Sequence, residues 1–181
     1  MRLLPAAGRS TVSWKNGGGT TEEVCRSPLA GMPDWRVSIA TIARDGPFSR
    51  FDDLDRHLAV LSGRLLLQGL GHGPLILEPG SAPVRFPGSA PVVARPLGGH
   101  AIALNLMTGR GRFLGSVVPL REDGMVTSAA ATVIVASRDA RFRIDGTTHH
   151  LKRLDAAAVG IGCRLAGDAS VLMAEIDPLH P

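Results

Sequence analysis

Short apolar segments punctuated by glycine and proline constrain the fold of this chain more than any other feature. The 181 residues include 22 glycines and 13 prolines, and no long segment places strong helix formers at helical spacing. Closely spaced strands with such turns are typical of a sandwich or a barrel. We therefore predict an all-β fold, with strands near residues 35–43, 57–61, 64–68, 75–77, 84–86, 92–95 and 100–107.

The second part of the chain repeats the pattern of the first. The offsets between matched segments are about 69 to 77 residues, which insertions in turns would explain. The repeat predicts two tandem β units, one over residues 1–112 and a smaller one over 113–181, with a connector from Gly109 to Gly124. The matched pairs are Arg64–Gly69 with Arg141–Gly146, Val84–Gly88 with Val159–Gly162, and Ala101–Met107 with Ser170–Ile176.

Composition argues against several classes of function. The formal net charge is +4 and no basic stripe with interleaved aromatic residues occurs, so a nucleic-acid partner is not expected. Cys25 and Cys163 lack the spacing of a disulfide framework or a zinc knuckle. The first apolar stretch is too short for a signal peptide, and the longest apolar run, 129–136, is too short to cross a bilayer. We expect a cytoplasmic protein with no membrane partner and no cofactor.

The segment Trp14-Lys-Asn-Gly-Gly-Gly-Thr-Thr-Glu-Glu-Val24 concentrates groups suited to ligand recognition. Three consecutive glycines favour unusual dihedrals or a close approach of the backbone, and Asn16 and Thr21 would hydrogen-bond a formyl or amide group. The alternative is an ordinary glycine-rich hairpin, in which Asn16 serves only the turn. A phosphate loop is excluded because the lysine precedes the glycines and because Glu22 and Glu23 would repel a phosphate.

The strand predicted at 35–43 has two different faces. Since successive side chains of a strand point in opposite directions, one face is apolar and the other carries polar groups beside a small residue. Such a strand suits the wall of a barrel whose polar face lines a pocket. In the alternative, the strand is half-exposed and Arg36 is solvated. The apolar face has Trp35, Val37 and Ile39, and the polar face has Arg36, Ser38 and Ala40.

Five motifs occur in a fixed order: the 14–24 segment, Trp35-Arg-Val-Ser-Ile-Ala40, Asp45-Gly-Pro-Phe-Ser49, Asp55-Arg56 and Leu104-Asn-Leu-Met-Thr108. These motifs and their order resemble those of the HutD/Ves family, and the matching positions are densest over residues 1 to about 112. The resemblance implies a cupin-type fold with two double-stranded β-helices in one chain, a bicupin. It also implies a link to histidine utilisation, in which HutD-type members bind a formylated glutamate without established catalysis. Ves-type members are associated with stress or cold.

The resemblance further implies which residues contact the ligand. This chain departs from the family pattern at two positions: Ala103 stands where the family usually has an acidic residue, and Gly109 replaces the first of two paired arginines. An aromatic platform at the start of the loop would cover the pocket. Trp14 is a candidate on this chemical ground alone, with ordinary packing as the alternative. The ligand-binding residues that the resemblance implies are Asn16, Gly17, Gly18, Thr21, Glu23, Arg36, Ser38, Arg56 and Asn105.

Arg36 and Arg56 are the candidates for holding a ligand carboxylate, since a guanidinium binds a carboxylate through two parallel hydrogen bonds. Two alternatives stay open. Arg56 pairs with the neighbouring Asp53 or Asp55 and anchors a turn, and Glu23 pairs with Arg36 instead of accepting a hydrogen bond from the ligand.

A bound metal is not expected. Metal-binding cupins carry a His-x-His motif, a following carboxylate and a later histidine, and no two histidines here stand two residues apart. Adjacent histidines such as His149 and His150 point to opposite faces of a strand. The six histidines are His57, His72, His100, His149, His150 and His180.

Three hypotheses of function follow. The leading one is a metal-free protein that binds a small acidic metabolite such as N-formyl-glutamate and modulates histidine utilisation. The second is an isomerase or hydrolase that uses Glu23 as a general base while Arg36 orients the substrate. The third treats the pocket as vestigial and the protein as a homodimer joined through its sheet edges.

Overall fold

The computed structural model describes residues 1–27 and 34–179. Within these ranges the chain forms strands and turns and no helix, which confirms the all-β prediction. None of the described residues therefore forms a helix long and apolar enough to cross a membrane. His180, one of the histidines considered as a metal ligand, lies outside the described residues.

Two antiparallel sheets face each other to form the first barrel. They contain all the strands that the sequence predicts between residues 35 and 107. The larger sheet has the order β2 (Thr11–Ser13), β3 (Gly19–Arg26), β4 (Trp35–Ile42), β11 (Ala101–Gly109), β6 (Leu54–Ser62) and β9 (Val84–Pro87). The smaller sheet has the order β5 (Gly46–Pro47), β10 (Val93–Pro96), β7 (Leu65–Gln68) and β8 (Leu75–Leu77).

Two further sheets form the second barrel. Its larger sheet has the order β1 (Arg2–Leu4), β17 (Ala156–Val159), β14 (Ala131–Ala136), β19 (Val171–Pro178) and β12 (Phe113–Pro119). Its smaller sheet has the order β13 (Met125–Val126), β18 (Arg164–Gly167), β15 (Ala140–Ile144) and β16 (Thr147–Leu151). The first strand of the chain thus lies in the second barrel and the next strand in the first.

The two barrels have the same strand order. The order β4-β11-β6-β9 corresponds to β12-β19-β14-β17, and β5-β10-β7-β8 corresponds to β13-β18-β15-β16. The segments matched in the sequence lie on corresponding strands. The match of β11 to β19 is one residue out of register, however: Ala101 and Ala103 point into the first barrel, and the residues that point into the second barrel are Val171 and Met173, each one position after the residue matched in the sequence. The duplication itself, and a division of the chain at residue 112, stay predictions.

The larger sheets of the two barrels pack against each other through a shared apolar core. Since side chains alternate along a strand, each large sheet sends one set of residues into its own barrel and the other set into this core. Leu104 and Leu106 of β11 meet Val133, Ala174 and Ile176 of the second barrel there, all at most 2% exposed.

The two faces predicted for the strand at 35–43 are confirmed. Val37 and Ile39 lie in the shared core, and Arg36, Ser38 and Ala40 face the interior of the first barrel.

Candidate functional site

A cavity of about 420 Å³ opens at one end of the first barrel. Strands β3, β4, β11 and the start of β6 form its wall, and residues 10–14 and the loop after β5 close its sides. A cavity of similar volume, about 400 Å³, lies between the barrels, but Arg138, the charged residue that lines it, is already paired with Asp168. The apolar lining of the first-barrel cavity consists of Val12, Trp14, Ala40, Phe48, Phe51, Leu58 and Met107.

The structure brings seven of the ten predicted site residues together around this cavity. They come from four strands and from the residue that precedes the glycine turn, so segments far apart in the chain converge on one space. The seven residues are Trp14, Thr21, Glu23, Arg36, Ser38, Arg56 and Asn105. Their contact with a ligand stays a prediction.

The other three predicted residues lie in the turn behind the cavity wall. Asn16 is exposed; its Oδ1 accepts a hydrogen bond from the Gly18 amide at 3.0 Å, and its Nδ2 donates to the Pro47 carbonyl at 3.3 Å. Gly17 has φ +67°, a conformation that favours glycine. The Gly18 carbonyl accepts from the amides of Ala43 and Arg44, so these residues hold the β2–β3 hairpin against the end of β4.

Arg56 is a buried cation with an unusual set of partners. The residue is 6% exposed, and its Nε and Nη2 both donate to Asn105 Oδ1, at 3.3 and 3.2 Å. Its guanidinium lies 4.8 Å from the ring centroid of Phe48 and 5.1 Å from that of Phe86. Burial, together with the nearby charge of Arg36, lowers the pKa of Arg56 to about 10, which leaves it charged at neutral pH.

The salt bridges considered in the sequence analysis, of Arg56 with Asp53 or Asp55 and of Arg36 with Glu23, do not form. Asp55 binds Arg85 and Arg110, both at 3.0 Å, and leaves Arg56 free to point into the barrel. Glu23 pairs with Arg26 at 3.4 Å instead of Arg36. Among the described residues, neither cavity arginine forms a salt bridge with a carboxylate.

The position of Arg36 follows from the pairing of β4 with β11. Arg36 lies directly opposite Met107, which in turn lies opposite Arg56 of β6. Its Nη2 is 3.5 Å from the Met107 sulfur, a weak acceptor for a guanidinium. The site therefore places two guanidinium groups on one wall, on the strands either side of β11, and among the described residues neither group meets a carboxylate.

The indole of Trp14 is held in place at the edge of the cavity. Its Nε1 donates to Thr21 Oγ1 at 2.8 Å, and its ring meets the Phe48 ring edge to face, with centroids 6.0 Å apart. The Thr21 hydroxyl, having accepted this bond, keeps its own proton for another acceptor. Aromatic surface therefore lies next to the two guanidinium groups.

Sequence reasoning did not select several lining residues. Phe48 and Ser49 belong to the Asp45–Ser49 motif and Met107 to the Leu104–Thr108 motif, so the motifs held a signal for them. Ser10 and Val12 carried none, because their place depends on how the N-terminal segment passes between the barrels.

The two departures from the family pattern lie near the same strand. Ala103 is fully buried among the apolar side chains of the first barrel. A Cβ at Gly109 would lie 2.6 Å from Arg112 Nη2, so the glycine makes room for that guanidinium, which pairs with Asp34. Among the described residues, no group of three or more histidine, cysteine or acidic side chains is placed to hold a metal ion.

Comparison with known proteins gives a consistent family assignment. The model of the HutD family matches residues 6–172. An uncharacterized 21.2 kDa protein in the hutC 3' region of Pseudomonas putida is 31% identical over 159 residues, which cover 85% of this chain and 82% of that protein. Protein Ves of Citrobacter koseri is 37% identical over 102 residues, about half of each chain at 55% and 53%.

Solved structures agree on the fold. HutD from Pseudomonas fluorescens SBW25 superposes with a TM-score of 0.85 over 98% of both chains at 24% identity. A cupin 2 conserved barrel domain protein from Leptotrichia buccalis matches with a TM-score of 0.53 and 9% identity over 97% of this chain and 100% of that one. The fold is therefore of the cupin type.

Proposed function

Because the chain belongs to the HutD family, we propose that its first barrel binds a small acidic metabolite. N-formyl-glutamate is the first candidate, and binding it would modulate histidine utilisation. The name of the Pseudomonas putida relative, which refers to the hutC region, supports this context.

The observation that carries the proposal is the buried guanidinium of Arg56. Removing a cation from water is costly unless an opposite charge and hydrogen bonds compensate for it. Asn105 supplies one neutral oxygen for two N–H groups, and the described residues supply no carboxylate. A ligand carboxylate would accept the remaining donors and offset the desolvation.

Arg36 strengthens this argument. Two like charges face one cavity, and their mutual repulsion is relieved when an anion enters between them. The cavity volume of about 420 Å³ lies in the range of small-molecule sites. The hydroxyls of Thr21 and Ser38 would bond polar groups of the ligand, and Trp14 and Phe48 would cover its apolar part.

Calorimetry tests the proposal. N-formyl-glutamate, formiminoglutamate, glutamate and urocanate are titrated into the full chain. Arg56→Met keeps an unbranched apolar stem but removes the guanidinium and its charge, and should weaken binding by about 100-fold, as loss of a buried charged contact does. Arg50→Met is the matched control, because Arg50 is exposed beside the same loop and bonds the Ser89 carbonyl. No heat from any of the four compounds, in a folded sample, would overturn the proposal.

The rival hypothesis of catalysis has weaker support from the geometry. A general base must reach the proton that it removes, and the Glu23 side chain is 41% exposed and engaged with Arg26. Glu23→Gln distinguishes the two. Turnover of one of these compounds that is lost in Glu23→Gln, while binding persists, would favour an enzyme.

A further inference from the structure

The end of the second barrel formed by β12, β19 and β14 corresponds in position to the cavity end of the first barrel, formed by β4, β11 and β6, and is called its mouth below. In each barrel, residues paired across three adjacent strands point towards the mouth. In the first barrel these rows are Ser38–Asn105–Leu58 and Arg36–Met107–Arg56. In the second barrel the corresponding row is Ser116–Glu175–Thr132, and the next begins Leu114–Asp177.

The charge at the second mouth is opposite to that at the first. Glu175 and Asp177 stand where the first barrel has Asn105 and Met107, and among the described residues neither forms a salt bridge. Asp177 Oδ1 accepts the Ala130 amide at 2.8 Å, which leaves its second oxygen available. Burial raises the pKa of Glu175; a backbone hydrogen bond from Ser128 partly opposes this rise, and the charge of Asp177 adds to it.

A second observation is independent of the carboxylates. Thr132 is 2% exposed, and its Oγ1 has no hydrogen-bond partner. Ile134 and Ala136, on the same face of β14, point into the second barrel, so Thr132 points inward as well, directly opposite Glu175. Buried hydroxyls are nearly always hydrogen-bonded, so an unpartnered one calls for a partner at this position.

We propose that the mouth of the second barrel binds a primary ammonium group, with Glu175, Asp177 and Thr132 as its three acceptors. Three acceptors match the three N–H donors of an ammonium. Leu114, which is 50% exposed beside Asp177, provides apolar surface for the attached alkyl chain. A calcium ion would require six to eight oxygen ligands, more than these side chains supply. This site does not depend on the function proposed for the first barrel.

Nuclear magnetic resonance of the full chain tests this site with a simple amine. The protein is titrated with n-propylammonium chloride and, at the same ionic strength, with tetramethylammonium chloride, which carries the charge but no N–H donor. We expect saturable shifts around Thr132 and Glu175 with n-propylammonium, and at least tenfold weaker binding of tetramethylammonium. Glu175→Gln should weaken n-propylammonium binding at least tenfold, whereas Glu122→Gln, at an exposed position of the same barrel, should leave it unchanged.

Thr132→Val keeps the test independent of any folding defect in the Glu175 variant. Valine has the same shape and lacks the unpartnered hydroxyl, so the free protein should be at least as stable as the parent while n-propylammonium binds at least threefold more weakly. Equal binding of both amines, shifts that do not saturate, or unchanged binding in either variant would overturn the proposal. Tighter binding of Mg²⁺ or Ca²⁺ than of the amine, lost in Glu175→Gln, would also overturn it and assign a metal site.

Discussion

Replacing Arg56 with methionine should weaken ligand binding by about 100-fold while changing the stability of the free protein only slightly. Burial is the main cause that lowers the pKa of Arg56 from its ordinary value to about 10. At about 1.4 kcal/mol per pKa unit, the buried charge costs roughly 3 kcal/mol, which the methionine variant recovers. Against this stand the loss of two cation–π contacts, about 1 kcal/mol each, and an unpartnered Asn105 oxygen, about 1–3 kcal/mol. The opposing contributions nearly cancel, so the net change should stay within about 2 kcal/mol.

A second substitution makes the reasoning testable. Arg56→Met combined with Asn105→Leu removes the orphaned amide as well, and the double variant should exceed the single one in stability by about 1–3 kcal/mol. Urea unfolding followed by tryptophan fluorescence measures both, with Arg50→Met as a control expected within about 0.5 kcal/mol of the parent. A loss above about 4 kcal/mol in Arg56→Met that Asn105→Leu does not restore would show that the guanidinium is a structural cation, and would refute this account.

Three further perturbations test other parts of the structure. Burial, followed by the charge of Arg85, lowers the pKa of His57 to about 4, so this histidine takes up a proton more readily in the unfolded chain than in the folded protein. The free energy of unfolding should therefore fall by up to about 3 kcal/mol as the pH is lowered from 6.5 to 4. His57→Leu should reduce this pH dependence, measured as the midpoint of urea unfolding at each pH. Burial raises the pKa of Cys25 to about 11, so iodoacetamide at pH 8 should alkylate it about 100-fold more slowly than free cysteine, measured in a Cys163→Ser background. A Cβ at Gly19 would overlap the Thr41 carbonyl, so Gly19→Ala should cost more than about 2 kcal/mol in the same unfolding assay, against about 1 kcal/mol for Gly17→Ala at its exposed turn.

The strands were predictable because local chemistry determines them. Glycine and proline mark the turns, and the alternation of Val37 and Ile39 with Arg36 and Ser38 assigns each side chain to a face before any tertiary contact is known. What local chemistry does not contain is the partner of each strand. Nothing in the residues of β1 indicates that they pair with β17, more than 150 positions later, so the crossing of the N-terminal segment was not foreseen.

The site residues also divide into those whose position the sequence predicted and those whose role it did not. Arg36 and Arg56 were predicted as ligand contacts from their chemistry and from motif positions, and the structure places both at the cavity. The glycine turn was predicted to contact the ligand directly, yet Asn16 and Gly18 form their hydrogen bonds with each other and with the backbone of Ala43, Arg44 and Pro47. A turn built for a hairpin and a turn built for a ligand use the same residue types, so composition alone does not separate them.

The shared core explains how this chain keeps uncompensated charges of opposite sign at its two mouths. Residues such as Leu106 and Ile176 bury apolar surface between the large sheets, and each fully buried side chain of this kind contributes about 2 kcal/mol. Because that stabilisation lies on the opposite face of the strands that carry Arg56 and Glu175, either mouth can change its charge without disturbing the packing beneath it. Substitutions at Glu175 should therefore leave binding at the first barrel unchanged, and a dependence of one site on the other would indicate coupling through the core rather than two independent mouths.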